Sequence, residues 1–290
     1  MGRINRNFAV TKVTLDGDAY TVDTRADTVT VEEPLEIRDN GQTLTTTMRT
    51  PGHDIELAHG WLYGEGIITD PAEISTARYC AGATGPDGQN TYNVLDLNLV
   101  TAANTPRQVD PKFIRLAPTT SACGVCGTSS IDEIMDKTHA PIEPLALDPA
   151  LVMSLPDKLR EGQKQFRKTG GIHAAGAFDL DGNPIVIRED IGRHNAADKV
   201  IGHLLMEGRL PAKDMILVMS SRASFELVQK AVMAGFPALV AVSAASSLAV
   251  ELAREANMAL VGFARPGRFN LYSGELARPN ASAGQGRAVS

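Results

Sequence analysis

Polar and apolar positions alternate only weakly over residues 1–27, enough for a tail or an edge strand. A clearer signal follows. "PLEIRDNGQTLTTTM" (34–48) holds two strand-like runs about Asn40-Gly41, a pair that favours the positive φ angles of a type I′ turn, so a hairpin is predicted. In "HDIELAHGWLYGEG", Ile55, Ala58, Trp61 and Leu62 share one helical face, and Gly64 and Gly66 end it. Residues 76–80 and 92–99 make a further strand pair, joined by the glycine-rich "AGATGPDGQN". The second half is more regular. Helical periodicity covers 149–168, where Pro156 is placed to shorten or kink it. A hairpin over 172–189 turns at Asp181-Gly182-Asn183. Then come a helix (194–207), a strand (214–219), a helix (222–234), a strand (237–242), a helix (246–256) and a strand (258–263).

A helix, a hairpin and three α–β repeats predict a mixed sheet with helices on both faces. The expected class is α/β, or α+β for the chain as a whole. Its parts are a tail or edge strand (1–27), a small α+β domain (28–115), a loop with a short helix (116–147), a larger domain (148–274) and a disordered tail (275–290). The order α-β-β-α-β-α-β-α-β resembles the three-layer cytidine-deaminase fold. Those zinc enzymes carry His-x-Glu at the start of the second helix and Pro-Cys-x-x-Cys at the third. Here the same places read "EDIGRHNAADK" and "SSRASFELVQK", with Ser221 and Ser224 at the cysteine spacing. Hydroxyls are poor zinc ligands, so the fold is expected without the zinc.

Composition narrows the class. The chain has 290 residues, 43% of them hydrophobic, which is room for two domains and a sizeable core. With 21% charged residues and a net charge of −6, a general nucleic-acid role is excluded for want of a basic surface. The first residues lack the apolar run of a signal peptide. The longest apolar stretch, "PALVAVSAASSLAVELA", is interrupted by serines and falls short of a membrane span. Three cysteines do not make a disulfide framework, so a cytoplasmic protein with reduced thiols is expected.

Two of those cysteines stand together in "SACGVCGTSSIDE" (121–133). Half of a zinc site is one reading of Cys123 and Cys126, but only Cys80 and scattered histidines remain to complete it, and no metal site is expected. A redox pair is the second. It belongs at a helix start, and "SSIDEIM" begins just after Gly127 with Ser129 or Ser130 as N-cap. The third is sulfur relay, in which an exposed thiolate attacks the outer sulfur of a partner's persulfide; Ala122, Gly124 and Gly127 allow that partner close approach. Spacing leaves the redox and relay readings open. Separately, "SSRAS" (220–224), "SAASS" (243–247) and "FARPGR" (263–268) fall at successive strand ends. Small, hydroxylated and arginine residues beside helix N-termini suit a nucleotide or pyrophosphate, with Arg265 and Arg268 the leading phosphate ligands. In "REDIGRHNAADK", His194 lies near Glu189, Asp190 and Arg193, which fits a capped helix with an ion pair or a ligand contact. His173, after Gly170-Gly171, is a core or pocket residue.

Together "ACGVCG", "TGGIHAAGAF", "REDIGRHNAADKVIG", "SSRASFELVQKAVMAG", "VSAASSLAVELA" and "GFARPGR" resemble the FdhD family, accessory sulfurtransferases of formate dehydrogenase, over about residues 28 to 272. The resemblance implies sulfur taken from a cysteine desulfurase and passed to the molybdenum bis(molybdopterin guanine dinucleotide) cofactor, bound as the substrate being sulfurated. It implies a persulfide on Cys123, a less certain role for Cys126, and cofactor contacts from Phe263, Ala264, Arg265, Pro266, Gly267 and Arg268, with Ala264 offering little beyond backbone. Formate dehydrogenase as acceptor, a deaminase-like C-terminal domain and a homodimer follow from the same resemblance. The rival readings are a cofactor carrier or chaperone without sulfur transfer, and a metal-dependent hydrolase, for which no ligand set is found.

Overall fold

The computed structural model describes residues 3–80, 90–101, 103–114, 131–137 and 140–278. Cys123, Cys126, Ser129 and Ser130 lie outside the described residues, so the cysteine segment has no structural account. The chain opens with β1 (Asn5–Asp16) and β2 (Ala19–Thr30), paired antiparallel as a two-stranded ribbon of their own. The weak alternation at the N-terminus is therefore strand, and it pairs with itself rather than at the edge of a larger sheet.

A four-stranded sheet follows, built from β3 (Glu33–Asp39), β4 (Gln42–Arg49), β5 (Ile74–Tyr79) and β6 (Val94–Leu99) in the order β4-β3-β6-β5. Asn40 and Gly41 take φ of 48° and 83°, the backbone that the Asn-Gly turn required. Helix α1 (Asp54–Gly64) lies between β4 and β5 in sequence. Beyond it come the short α2 (Ile131–Lys137) and β7 (Ala146–Leu147).

Helix α3 (Pro149–Gly162) is started by Pro149 at its first position and by the Asp148 carboxylate, which accepts the Ala150 N–H. The predicted helix over 149–168 is two helices. The second, α4 (Phe166–Thr169), is set off after Gly162, and the Glu189 carboxylate accepts the N–H groups of Gln165 and Phe166, both at 2.8 Å. A distant side chain thus caps the second helix, which no local pattern could reveal. Pro156 stays inside α3.

The larger sheet comprises β8 (His173–Asp179), β9 (Pro184–Asp190), β10 (Met215–Met219), β11 (Ala238–Ala241), β12 (Ala259–Arg265) and β13 (Arg268–Ser273), in the order β13-β12-β11-β10-β8-β9. β10, β11 and β12 are parallel, and the other pairings are antiparallel. Helices α5 (Arg193–Met206), α6 (Phe225–Met233) and α7 (Ser247–Glu255) alternate with these strands. One sheet face packs on α3 through Val152, Leu155 and Leu159. The other packs on α5, α6 and α7, so the expected mixed α/β layering holds. β14 (Glu275–Leu276) pairs parallel with β7.

A correction concerns "FARPGR". It was read as a strand end, but β12 runs on to Arg265, turns at Pro266-Gly267 and returns as β13. Proline followed by a residue at positive φ, here 83° at Gly267, is the signature of a type II turn. The two sheets are not separate cores. A single cluster runs from Leu35 and Leu95 through Leu57 and Ile201 to Leu217 and Leu239. Its seam is the crossing of α1 and α5, where a Cβ added at Gly202 would lie 1.8 Å from the Glu56 carbonyl oxygen.

Candidate functional site

The carboxyl ends of β10, β11 and β12, the amino end of β8 and helices α3 and α4 together line a cavity of about 660 Å³. Ser220, Val242 and Ala264–Pro266 line the strand side. Arg160, Gln163 and Phe166 line the helix side, with the Arg160 guanidinium 5.7 Å from the Phe166 ring centre. Gly170, Gly171 and His173, from the segment joining α4 to β8, complete the lining. This is the place where open α/β sheets bind ligands.

The structure divides the six residues of the "FARPGR" stretch. Ala264 is buried, Arg265 and Pro266 are exposed, and all three line the cavity. Phe263 takes φ of 53°, rare for a bulky residue, at an irregularity in the β12–β13 pairing, and its side chain is 38% exposed. Its N–H is held by the Ser243 carbonyl at 3.0 Å, so the ring projects while the backbone stays tied to the sheet. Gly267 completes the turn and Arg268 opens β13, both exposed and neither among the residues that line the cavity.

His173 is the histidine of the lining. Burial holds its imidazole below the usual histidine range, the charges of Arg193 and His194 push the same way, and Asp190 opposes them. Its Nδ1 lies 3.5 Å from Ser220 Oγ, which also accepts the Ala174 N–H at 2.8 Å. Burial likewise lowers Arg193, and the nearby Arg222 adds to the effect while Glu226 opposes it. Cationic groups therefore crowd the end of the sheet that carries the cavity.

Other predicted residues serve the frame. Asp190 is fully buried; it pairs with Lys199 Nζ at 2.6 Å and accepts the N–H groups of Thr50 and Gly192 at 3.1 and 2.8 Å. Asn195 bridges Asp190 Oδ1 and the Met48 carbonyl at 3.1 and 2.8 Å. This network fastens the end of β4 to the α5 turn, joining the two sheets. His194 Nε2 lies 2.9 Å from Glu226 Oε2 and 3.3 Å from Ser224 Oγ, an ion pair with α6 rather than with its own segment, and α5 starts at Gly192 without a side-chain cap. Ser221 Oγ donates to the Arg222 carbonyl at 3.0 Å, and Ser246 accepts the Ala249 N–H at the start of α7. The loops 220–224 and 243–247 are stitched together by the Ala223–Ala245 bridge.

Arg160, Gln163 and Phe166 were not picked out from sequence. The available signal was an arginine and an aromatic residue leading into Gly170-Gly171, and it carries no meaning until α3 is laid over the strand ends. Among the described residues, no group of three or more His, Cys, Asp or Glu is placed to hold a metal ion. Among the described residues, no helix is long and apolar enough to cross a membrane.

A model of the FdhD/NarQ family matches residues 30–277. The chain is 63% identical over 277 residues to a protein of Corynebacterium efficiens named sulfur carrier protein FdhD, covering 95% of this chain and all of that one. It is 51% identical to a protein of the same name from Nocardia farcinica, covering 98% of each. A crystal structure of a formate dehydrogenase accessory protein from Desulfotalea psychrophila is similar with a TM-score of 0.66 at 23% identity, covering 92% of this chain and 96% of that one, a likeness of fold.

Proposed function

The chain belongs to the FdhD/NarQ family, and from that premise we propose that it is a sulfurtransferase serving formate dehydrogenase. Cys123 accepts sulfur from a cysteine desulfurase, and the cavity holds the guanine dinucleotide end of the molybdenum bis(molybdopterin guanine dinucleotide) cofactor, the substrate that receives it. The carrying observation is the cavity itself: about 660 Å³, at parallel strand ends, with Arg160 from α3, Arg265 from β12 and the glycine pair Gly170-Gly171 all in its lining. That size suits a nucleotide, and the two guanidiniums suit its pyrophosphate. The projecting Phe263 offers a face for stacking a base. The names of the relatives supply the sulfur side of the reading.

Loading balances as a thiol–persulfide exchange. The Cys123 thiolate attacks the outer sulfur of the donor's persulfide, a new S–S bond forms on Cys123, and the donor cysteine leaves as thiolate. Delivery of that sulfur as sulfide requires two electrons. Attack by the Cys126 thiolate on Cys123 Sγ supplies them: the outer sulfur departs with the bonding pair, and a Cys123–Cys126 disulfide remains to be reduced. The same reading places the protein in the cytoplasm as a homodimer, on a frame of cytidine-deaminase type.

The test is the mass of the peptide holding both cysteines after incubation with a desulfurase and free cysteine, alkylated without reductant. One added sulfur on Cys123, lost in Cys123→Ala together with formate dehydrogenase activation, is the expected result. Normal activation by Cys123→Ala sinks the proposal and leaves a cofactor carrier without sulfur transfer.

A further inference from the structure

The ribbon of β1 and β2 stands apart from the rest of the chain. It falls almost entirely before residue 30, where the family match begins. Its cross-strand register pairs Ala9 with Ala26, Val13 with Val22 and Leu15 with Tyr20. Side chains alternate along a strand and paired residues share a face, so these six lie on one side, with Thr11 and Thr24 between them. No charged residue occurs on that side anywhere along the ribbon. The opposite side carries Arg6, Lys12, Asp16, Asp23, Arg25 and Asp27.

The base of the uncharged side is anchored. Asn5 Nδ2 donates to Gln165 Oε1 at 2.7 Å and Thr30 Oγ1 to Thr169 Oγ1 at 2.8 Å, which seats it against α4. From Ala9 outward the same side is open to solvent, with Leu15 78%, Tyr20 67%, Val13 58% and Val22 57% exposed. An isolated two-stranded ribbon with twelve-residue strands is marginal in water without something packed on it. Both sides are open to solvent, but the largest apolar exposures, Leu15, Tyr20, Val13 and Val22, are on this one, while Phe8 and Val29 lie among the charged residues of the other.

We infer that this side is a docking surface for the same side of a second copy of the chain. Two features single out that occupant. The surface is uncharged, so two identical copies meet without like-charge repulsion. Its side chains also grade from small at the base, Ala9 and Ala26, to large at the tip, Leu15 and Tyr20. A two-fold axis through the middle of the face sets each ribbon antiparallel to its partner, laying large tip residues over small base residues and valines over threonines. Such an isologous contact is self-complementary in volume, and the charged sides stay in water. The inference rests on the homodimer of the proposed function and adds the surface that forms it.

Sedimentation velocity of the full chain over about a hundredfold concentration range reads the result. All substituted side chains are exposed, so folding is not at issue. Leu15→Glu raises the dimer dissociation constant at least tenfold, and Ala9→Leu, which overfills the base, does the same. The double variant Ala9→Leu/Leu15→Ala restores much of the loss by exchanging large and small, while Lys12→Gln on the charged side leaves it unchanged. A wild-type chain that is monomeric throughout overturns both the homodimer and this surface. A dimer indifferent to Leu15→Glu and Ala9→Leu overturns the surface alone. If those variants keep the dimer but lose loading by the desulfurase, the face belongs to the sulfur donor and the inference is equally overturned.

Discussion

Gly202→Ala tests the seam between the two sheets. The added Cβ would sit 1.8 Å from the Glu56 carbonyl oxygen and 2.8 Å from the Gly60 nitrogen, both backbone atoms of α1 that no rotamer change can move. Normal contact distance is about 3.5 Å, so α1 and α5 must part by more than an ångström. A gap of that size forfeits about half of the dispersion energy between facing atoms, and the facing side chains here include Leu57 and Ile201 in the shared core. Overpacking of this kind costs about 1–3 kcal/mol and sometimes more. Alanine's better helix propensity returns about 1 kcal/mol. With no side chain able to yield, the upper part of the range applies, and a net loss of about 1–2 kcal/mol is expected. Urea unfolding followed by circular dichroism measures it. Gly64→Ala, on the partner helix α1, is the control, because its Cβ would meet Lys230 at an ordinary 3.5 Å. A Gly202→Ala midpoint equal to that of wild type refutes the claim that the seam is held at glycine distance.

Arg265→Ala is expected to weaken guanosine diphosphate binding by about 1.5–3 kcal/mol, the worth of charge-assisted hydrogen bonds, with an unchanged circular dichroism spectrum because the side chain is exposed; unchanged affinity by calorimetry removes it from the site. His173 is held below the usual histidine range, chiefly by burial, so it is neutral at pH 7 and gains charge only as pH falls. Diphosphate affinity should therefore rise on acidification in wild type and rise less in His173→Gln, and matching pH profiles would show that the imidazole faces away from the anion. Burial pushes Glu56 up, but hydrogen bonds from Arg188 and His53 outweigh it and bring its pKa down from the ordinary glutamate value of 4.5 to about 2. A depressed carboxylate stabilises the fold fully above its unfolded pKa, and that contribution is lost as pH falls from about 4.5 to about 2. Glu56→Gln should flatten this limb of the stability profile, and acid unfolding that is no less steep in the variant counts against the assignment.

Much of the frame was legible because its signals are local. Asn40-Gly41 and Asp181-Gly182 carry their own turn chemistry, and the alternation of α5, β10, α6, β11, α7 and β12 shows as a switch of hydrophobic period between neighbours in sequence. The failures have equally physical causes. The ribbon read weakly because neither of its sides is buried within the chain, and burial is what imprints a strict period of two on a strand. β13 was hidden because Pro266-Gly267 between two arginines looks like a ligand loop as much as a turn.

The sequence by itself determined the alternation of the main helices and strands, the Asn40-Gly41 and Asp181-Gly182 turns and the grouping of strand-end residues, since each depends on residues within a few positions of one another. Tertiary structure alone decided the site. It brought Arg160 of α3, His173 of β8 and Arg265 of β12 to one cavity, and made Asp190 and Lys199 a buried clasp between the sheets. Those roles follow from which surfaces the folded core excludes from water, and that is settled by contacts between segments far apart in the chain.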